Sequence, residues 1–427
     1  MKICIQGGLV LNPATNLEEI TNLYIENGQV EFIGEKDSSG YEIIDASGKW
    51  VMPGLVDIHV HLREPGFTHK ETIETGCLAA AKGGVTTICP MPNTEPVIDN
   101  ECIVEYVNTM TKRANGVNVI PIGAITKGQK GEELASIGNM KQAGICAISD
   151  DGKTVMNSSV MKKAMIYAND FDLPIFSHAE DMNLIGGTMN AGENATLFGV
   201  KGLGREAEEI IIARDMILAR YTKSHIHICH VSTRGGVELI GFGKTFGINI
   251  TAETAPHYFI LDDSILFDYD SNKKMNPPLR TKDDVEAIKM ALKNGIIDNI
   301  ATDHAPHHYD EKRQPIEAAP FGIVGLETSF ALSYTYLVKT GILSPLELIE
   351  KMSTKPANII KIDKGNIDVG KIADIVIVDV NKKYTIDSKD FVSKGKNTPF
   401  NGMEVFGVIE KTLVNGKIIY ENSINCN

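Results

Sequence analysis

Residues 54–66 read GLVDIHVHLREPG. Two histidines, His59 and His61, sit two apart in an otherwise apolar run, and Arg63 follows two further on. Side chains of a strand alternate between its faces, so His59 and His61 can converge on one point from a single strand end. Arg63 enters the same cavity if the strand continues. One such histidine pair is a modest metal signal, because two hydrogen-bonded histidines would look the same. The other strand ends have to decide.

Seven further short apolar runs follow: VTTICPMPN, NVIPIGAIT, GICAISDD, LPIFSHAE, HIHICHVS, INITAETAPH and IDNIATDHAPH. Each ends in polar residues. Helical patterns separate most of them, such as EEIIIARDMILARYTK before HIHICHVS and DDVEAIKMALKNG before IDNIATDHAPH. Eight βα units predict an α/β fold, a (β/α)₈ TIM-type barrel, whose active site forms at the C-terminal strand ends. The chain concentrates His, Asp, Asn and Arg at those ends. Both termini differ from the middle. KICIQGGLVLN, TNLYIENGQVEFIGE, ADIVIVDVNKKYTI and GVIEKTLVNGKIIYE are β-rich, and two Asn-Gly pairs signal hairpins. The expected organisation is a barrel over 53–355, flanked by a small β-sandwich domain assembled from 1–52 and 356–427.

Acidic residues outnumber basic ones by 55 to 42 in 427 residues, giving a formal net charge of −13. That balance argues against general nucleic-acid or anionic-membrane binding and leaves a small-molecule substrate as the expected partner. No apolar run approaches the roughly 18 residues of a membrane span, and no signal-peptide pattern opens the chain. The seven cysteines contain no CxxC pair, and Cys77, Cys89, Cys146 and Cys229 lie in apolar surroundings. They read as small core residues in a reducing, cytoplasmic compartment.

His178 ends the fifth run, His230 the sixth and Asp303 the eighth, while Asp150 and Asp151 end the fourth. Four histidines and at least two aspartates facing one pocket suit zinc or a related divalent ion. His225 and His227 are expected to pack or hydrogen-bond, His257 to support the set from outside, His304 and His308 to be structural, and His69 to lie at the surface. The charged stretch HHYDEKRQPIEAAPFG, 307–322, reads equally as a solvated loop or as a mobile lid over the pocket formed by 306–320.

Together VDIHVHLREPG, PMPNTEPVID, SHAED, CHVST, TAETAPHYF, NPPLR and ATDHAPH resemble the amidohydrolase superfamily, most closely its dihydroorotase family in the longer-chain bacterial class. The similarity extends to NTPFNGMEVFGVIEKTLVNGKIIYE near the C-terminus. The resemblance implies reversible cyclisation of N-carbamoyl-L-aspartate to L-dihydroorotate in pyrimidine biosynthesis, with one or two zinc ions, two favoured. It implies His59 and His61 as one metal pair, His178 and His230 as ligands of the second metal, and Asp303 as both ligand and proton shuttle. Many superfamily members bridge the two metals with a carboxylated lysine. Here Asp151 matches the bridge, with Asp150 and Lys153 as the competing residues. His61, Arg63, Asn93, Asn276, His307 and the backbone of Phe321 and Gly322 match substrate contacts. A homodimer and association with aspartate carbamoyltransferase also come with the resemblance.

The chemistry explains the residue types. A divalent metal lowers the pKa of bound water from about 15.7 to about 7, which supplies a hydroxide able to attack an amide. Asp303 would take the proton and pass it to the leaving nitrogen. A guanidinium matches a carboxylate in a bidentate fork, so Arg63 suits an anionic substrate. Allantoinase, hydantoinase and dihydropyrimidinase are the competing activities. They usually carry the bridging lysine and typically lack the arginine of HxHxR. An inactive carbamoyltransferase scaffold is a further alternative, but such chains have usually lost ligands that this one keeps.

Overall fold

The computed structural model describes residues 2–422, so Cys426 lies outside the described residues. Eight parallel strands form the barrel: Leu55–Val60, Val85–Pro90, Asn118–Val119, Ile148–Ser149, Ile175–Ser177, Ile226–Ile228, Ile250–Thr254 and Asn299–Ile300. One falls in each of the eight apolar runs. The first three pair in order, as do the last five. Bridges between Gly123 and Ile148 and between Val60 and His304 close the ring. Parallel strands covered on both faces have no solvent side, which is why the runs are apolar rather than alternating.

Several intervening helices start where the sequence supplies a side-chain cap or first-turn acids. Glu206–Thr222 carries three glutamates in its first turn and Arg220 in its last, matching the helix dipole. Lys282–Lys293 begins with a capping box between Thr281 and Asp284. Val56 and Ile58 of the first strand, Cys89 of the second, Phe176 of the fifth and Cys229 just past the sixth pack in one cluster, which fills the barrel. Ala357, Ile359 and Ile360 join that cluster, so the helix Lys355–Ile359 packs with the barrel across the expected boundary at 355/356.

The chain ends make one continuous sheet. Its order is Lys417–Glu421, Glu404–Val414, Ile375–Thr385, Trp50–Pro53, Lys2–Asn12, Leu17–Glu26 and Gln29–Ile33, with Glu42–Asp45 beside Lys2–Asn12. Ile5, Leu23, Ile44, Val51, Ile377 and Leu413 form a core of its own. Asn27–Gly28 and Asn415–Gly416 all have positive φ, the geometry of the two hairpin turns that the Asn-Gly pairs signalled. Gly54 joins sheet to barrel, and a Cβ there would lie 2.1 Å from the Thr86 hydroxyl. Cys4, Cys77, Cys89, Cys146 and Cys229 are buried and unpaired. Among the described residues no helix is long and apolar enough to cross a membrane.

Candidate metal centre

The strand ends bring six candidate residues into one buried cleft. His59 Nε2 lies 3.3 Å from Asp151 Oδ1 and 3.5 Å from Asp303 Oδ1. His61 Nε2 lies 3.1 Å from Asp303 Oδ1 and 3.5 Å from Asp151 Oδ2. On the other side, His178 Nδ1 is 3.6 Å and His230 Nε2 3.8 Å from Asp151 Oδ1. Asp151 therefore stands between two histidine pairs. The triplets His59–His61–Asp151 and Asp151–His178–His230 each keep their donor atoms within 4.8 Å.

This donor set fits a divalent cation. His59 Nε2 and Asp151 Oδ1 are buried without a hydrogen-bond partner, a costly condition for polar atoms that point at nothing else. Burial pushes both aspartates toward the neutral form, but the surrounding imidazoles hold Asp151 well below the usual carboxylate range and bring Asp303 to about 2. Ionised carboxylates and imidazole nitrogens converging on one point make a nitrogen–oxygen site of the kind that holds zinc and related ions.

The competitors of Asp151 face elsewhere. Asp150 accepts from the backbone N–H groups of Ile125 at 2.9 Å and Thr126 at 3.1 Å, and from the Thr126 hydroxyl. Lys153 lines an open cavity of about 520 Å³ with Gln129, Thr154 and Met182.

Carboxylates behind the histidines fix their orientation. Glu253 Oε1 lies 2.5 Å from His59 Nδ1, and its other oxygen lies 3.2 Å from His227 Nε2. The proton of His59 is thereby assigned to Nδ1, leaving the Nε2 lone pair toward the cluster. Glu180 Oε2 lies 3.2 Å from His178 Nε2 and turns Nδ1 toward Asp151 in the same way. Asn93 spans His61 Nδ1 at 2.9 Å and Asp151 Oδ2 at 3.1 Å. Asp57 accepts the Thr302 hydroxyl at 2.6 Å and the His59 N–H at 3.1 Å. Sequence reasoning passed over Glu253, Glu180 and Asp57. The available signal was an acid inside a buried strand: Asp57 shares the alternation of His59 and His61, and Glu253 lies within ITAET.

The remaining histidines sort by partner. His225 and His227 bond Thr251 Oγ1 at 2.8 and 2.9 Å. His304 lies 3.4 Å from Glu71 and accepts the Gly325 N–H at 3.2 Å. His257 is buried beside Tyr258, whereas His69 and His308 are exposed.

Arg63 reaches the cleft by another route than strand alternation. The strand ends at Val60, and Arg63 lies in a turn with φ 61°. His230 at φ 36° and Asp303 at φ 48° share this left-handed backbone, which non-glycine residues adopt mainly where the surroundings enforce it. Arg63 Nε donates to the Pro306 carbonyl at 3.2 Å, and Nη2 lies 3.3 Å from His307 Nε2. Burial, then Arg63 and Lys70, pull the pKa of His307 down to about 3. The neutral ring donates from Nε2 to the Phe321 carbonyl at 2.8 Å. Asn276 donates to Glu180 at 3.0 Å and leaves its Oδ1 buried and unpartnered. The Gly322 N–H goes to the Lys274 carbonyl at 3.0 Å, and the Gly322 carbonyl receives Lys312 at 3.0 Å and Asn397 at 2.9 Å. Both backbone groups of Gly322 are thus engaged within the protein. Lys312, Ile316 and Ala319 are buried, so the 306–320 segment is packed down in this conformation.

A parallel barrel with a His/Asp cluster at its strand ends and a sheet built from the chain termini defines a hydrolase of the amidohydrolase class. In structure the chain is similar to the L-hydantoinase (dihydropyrimidinase) of Arthrobacter aurescens, with a TM-score of 0.87 at 26% identity over 98% of this chain and 96% of that one. It is likewise similar to the dihydropyrimidinase of Brevibacillus agri, with a TM-score of 0.85 at 25% identity over 99% of this chain and 95% of that one. A family profile described as Dihydro-orotase-like matches residues 48–236. Proteins named dihydroorotase from Ruminiclostridium cellulolyticum and Acetivibrio thermocellus are each 50% identical, over 99% and 98% of this chain and 100% and 99% of their own lengths. The chain belongs to the dihydroorotase family.

Proposed function

We propose that the protein interconverts N-carbamoyl-L-aspartate and L-dihydroorotate, a cytoplasmic step of pyrimidine synthesis. One observation carries the reading: a buried His/Asp cluster shares its cleft with Arg63, whose guanidinium has no carboxylate within ion-pair distance among the described residues. Burial lowers the Arg63 pKa only to about 10, so it is charged at neutral pH. A substrate that brings its own carboxylate completes that pair.

His59, His61, His178 and His230, with Asp151 between them, would hold two divalent ions, zinc by their donor chemistry. Such ions, when bound, activate water and polarise the amide carbonyl. Asp303, ionised and 3.1 Å from His61, takes the proton of the attacking water at its carboxylate. It returns that proton to the ring nitrogen as the carbon–nitrogen bond breaks, and ring closure reverses both transfers. Arg63 receives the substrate carboxylate, and the neutral His307, whose N–H is held by the Phe321 carbonyl, lines the same subsite. The free Oδ1 of Asn276 is an acceptor for a ring N–H. Asn93 keeps His61 and Asp151 in register, and Phe321 with Gly322 forms a wall beside His307.

The hydantoinase and dihydropyrimidinase neighbours make the test a substrate panel. Purified, zinc-loaded protein is expected to open dihydroorotate at least about a hundredfold more efficiently than hydantoin, dihydrouracil or allantoin, because three of the four lack the carboxylate or ring that Arg63 and Asn276 match. Preference for any of the other three would reject the proposal. Light scattering on the same sample reads the expected homodimer, and co-purification reads any carbamoyltransferase partner.

A further inference from the structure

Two buried lysines that the chemistry above does not use tie down the segment after the eighth strand. Lys312 ends the short helix Tyr309–Lys312. Its ammonium donates to the carbonyls of Lys274 at 3.3 Å, Pro320 at 2.9 Å and Gly322 at 3.0 Å. Three N–H donors meet three acceptors. Lys274 donates to the carbonyls of Ile316 at 2.7 Å, Glu317 at 3.1 Å and Ala319 at 2.7 Å, and lies 4.4 Å over the Phe321 ring. The Ser271 hydroxyl adds a bond to the Lys312 carbonyl.

Burying two neighbouring ammonium groups is unfavourable unless their donors are used. Here they are used on carbonyls, and the carbonyls belong to one stretch, residues 316–322, and to Lys274 itself. That stretch sets the position of His307. The Phe321 carbonyl receives the His307 Nε2–H at 2.8 Å. Gly322 has φ 130°, and a Cβ there would lie 3.1 Å from His307 Nε2 and 2.8 Å from Ala305 Cβ. His307 in turn lies 3.3 Å from Arg63. A displacement of residues 320–322 would therefore reach the proposed carboxylate subsite through two contacts.

We propose that Lys312 and Lys274 form an ammonium clasp that positions Phe321, Gly322 and His307, and so governs substrate affinity rather than bond breaking. The affinity part rests on the assignment of Arg63, with His307 beside it, to the substrate carboxylate subsite. The clasp itself rests only on the hydrogen bonds of the two lysines.

The test uses the full-length, metal-loaded protein with Lys312→Met and Lys274→Met. Each variant should raise KM for dihydroorotate by about tenfold or more while kcat stays within about threefold, the pattern of lost binding rather than lost transition-state contact. Metal content should match wild type. Lys274→Arg, which keeps a cation and its donors, should recover most of the affinity. A second readout needs no substrate: trypsin cleavage after the exposed Arg313 should accelerate in both Met variants. Unchanged KM in both variants, or a fall in kcat at constant KM, would overturn the positioning role. Unchanged cleavage would overturn the clasp. If a Met variant does not fold, Ser271→Ala loosens the same helix end and should speed the same cleavage, with no change counting against the clasp. Failure of wild type to turn over dihydroorotate would overturn the substrate assignment and the affinity part, while the trypsin arm would still decide the clasp.

Discussion

The histidine cluster and the 306–322 wall are held by opposite means. In the cluster, carboxylates orient imidazoles that stand on strand ends: Glu253 behind His59, Glu180 behind His178. In the wall, ammonium groups hold backbone carbonyls that have no ladder to join. The first device fixes donor atoms and keeps negative charge at the centre. The second fixes the shape of an irregular segment and places positive charge near it. Damage to the two should therefore appear in different quantities. Changes to the cluster should reach turnover and metal content, and changes to the wall should reach affinity.

The largest effect is expected from Asp303→Asn. The amide cannot take the proton, so turnover should fall at least about a hundredfold with little change in KM. Steady-state kinetics showing near-normal turnover would break the assignment of proton transfer to the cluster. Metal analysis gives the next test. Asp151→Ala should cut metal retention by about tenfold to a hundredfold, whereas Asp150→Ala, whose carboxylate is engaged by Ile125 and Thr126, should retain far more. The reverse order would move the bridge to Asp150.

On the wall side, Arg63→Ala should raise KM for dihydroorotate about tenfold to a hundredfold, the range for a lost charge-assisted bond. An unchanged KM would place the substrate carboxylate elsewhere. The smallest effect separates the cluster from histidines that only pack. Burial, then His227 and Lys361, lowers the pKa of His225 to about 4. The unfolded chain binds that proton near pH 6.5, so the folded form loses stability as pH falls from about 6.5 toward 4. His225→Gln should remove about 2 kcal/mol of the loss on acidification from pH 7 to 5, read by thermal melts at the two pH values. An identical acid shift in the variant would show that His225 is not a neutral packed group.

Much of this was legible in the sequence because strands and turns are local. The barrel strands lie inside the eight apolar runs, and both Asn-Gly pairs make the expected hairpin turns. The candidate ligands were legible as polar residues ending apolar runs. What the sequence hides is contact across the barrel. Glu253 and His59 are 194 positions apart, and nothing local marks their bond. Strand alternation brings Arg63 to the cavity only if the strand continues, whereas its approach depends on a left-handed turn that GLVDIHVHLREPG does not announce. The lysines of the wall were hidden for a related reason. Lys312 sits in a charged stretch that looks solvated, and only the carbonyls of Pro320, Gly322 and Lys274 draw it inside.

The central claim is that the His/Asp cluster is a metal site that opens dihydroorotate. The most direct measurement follows dihydroorotate hydrolysis in three samples: protein as purified, protein stripped by a chelator, and stripped protein given back zinc, with bound metal counted in each. Turnover should disappear on stripping and return with zinc as up to two ions per chain rebind. Full turnover by a folded, metal-free sample, or none by a folded, zinc-loaded one, would contradict it.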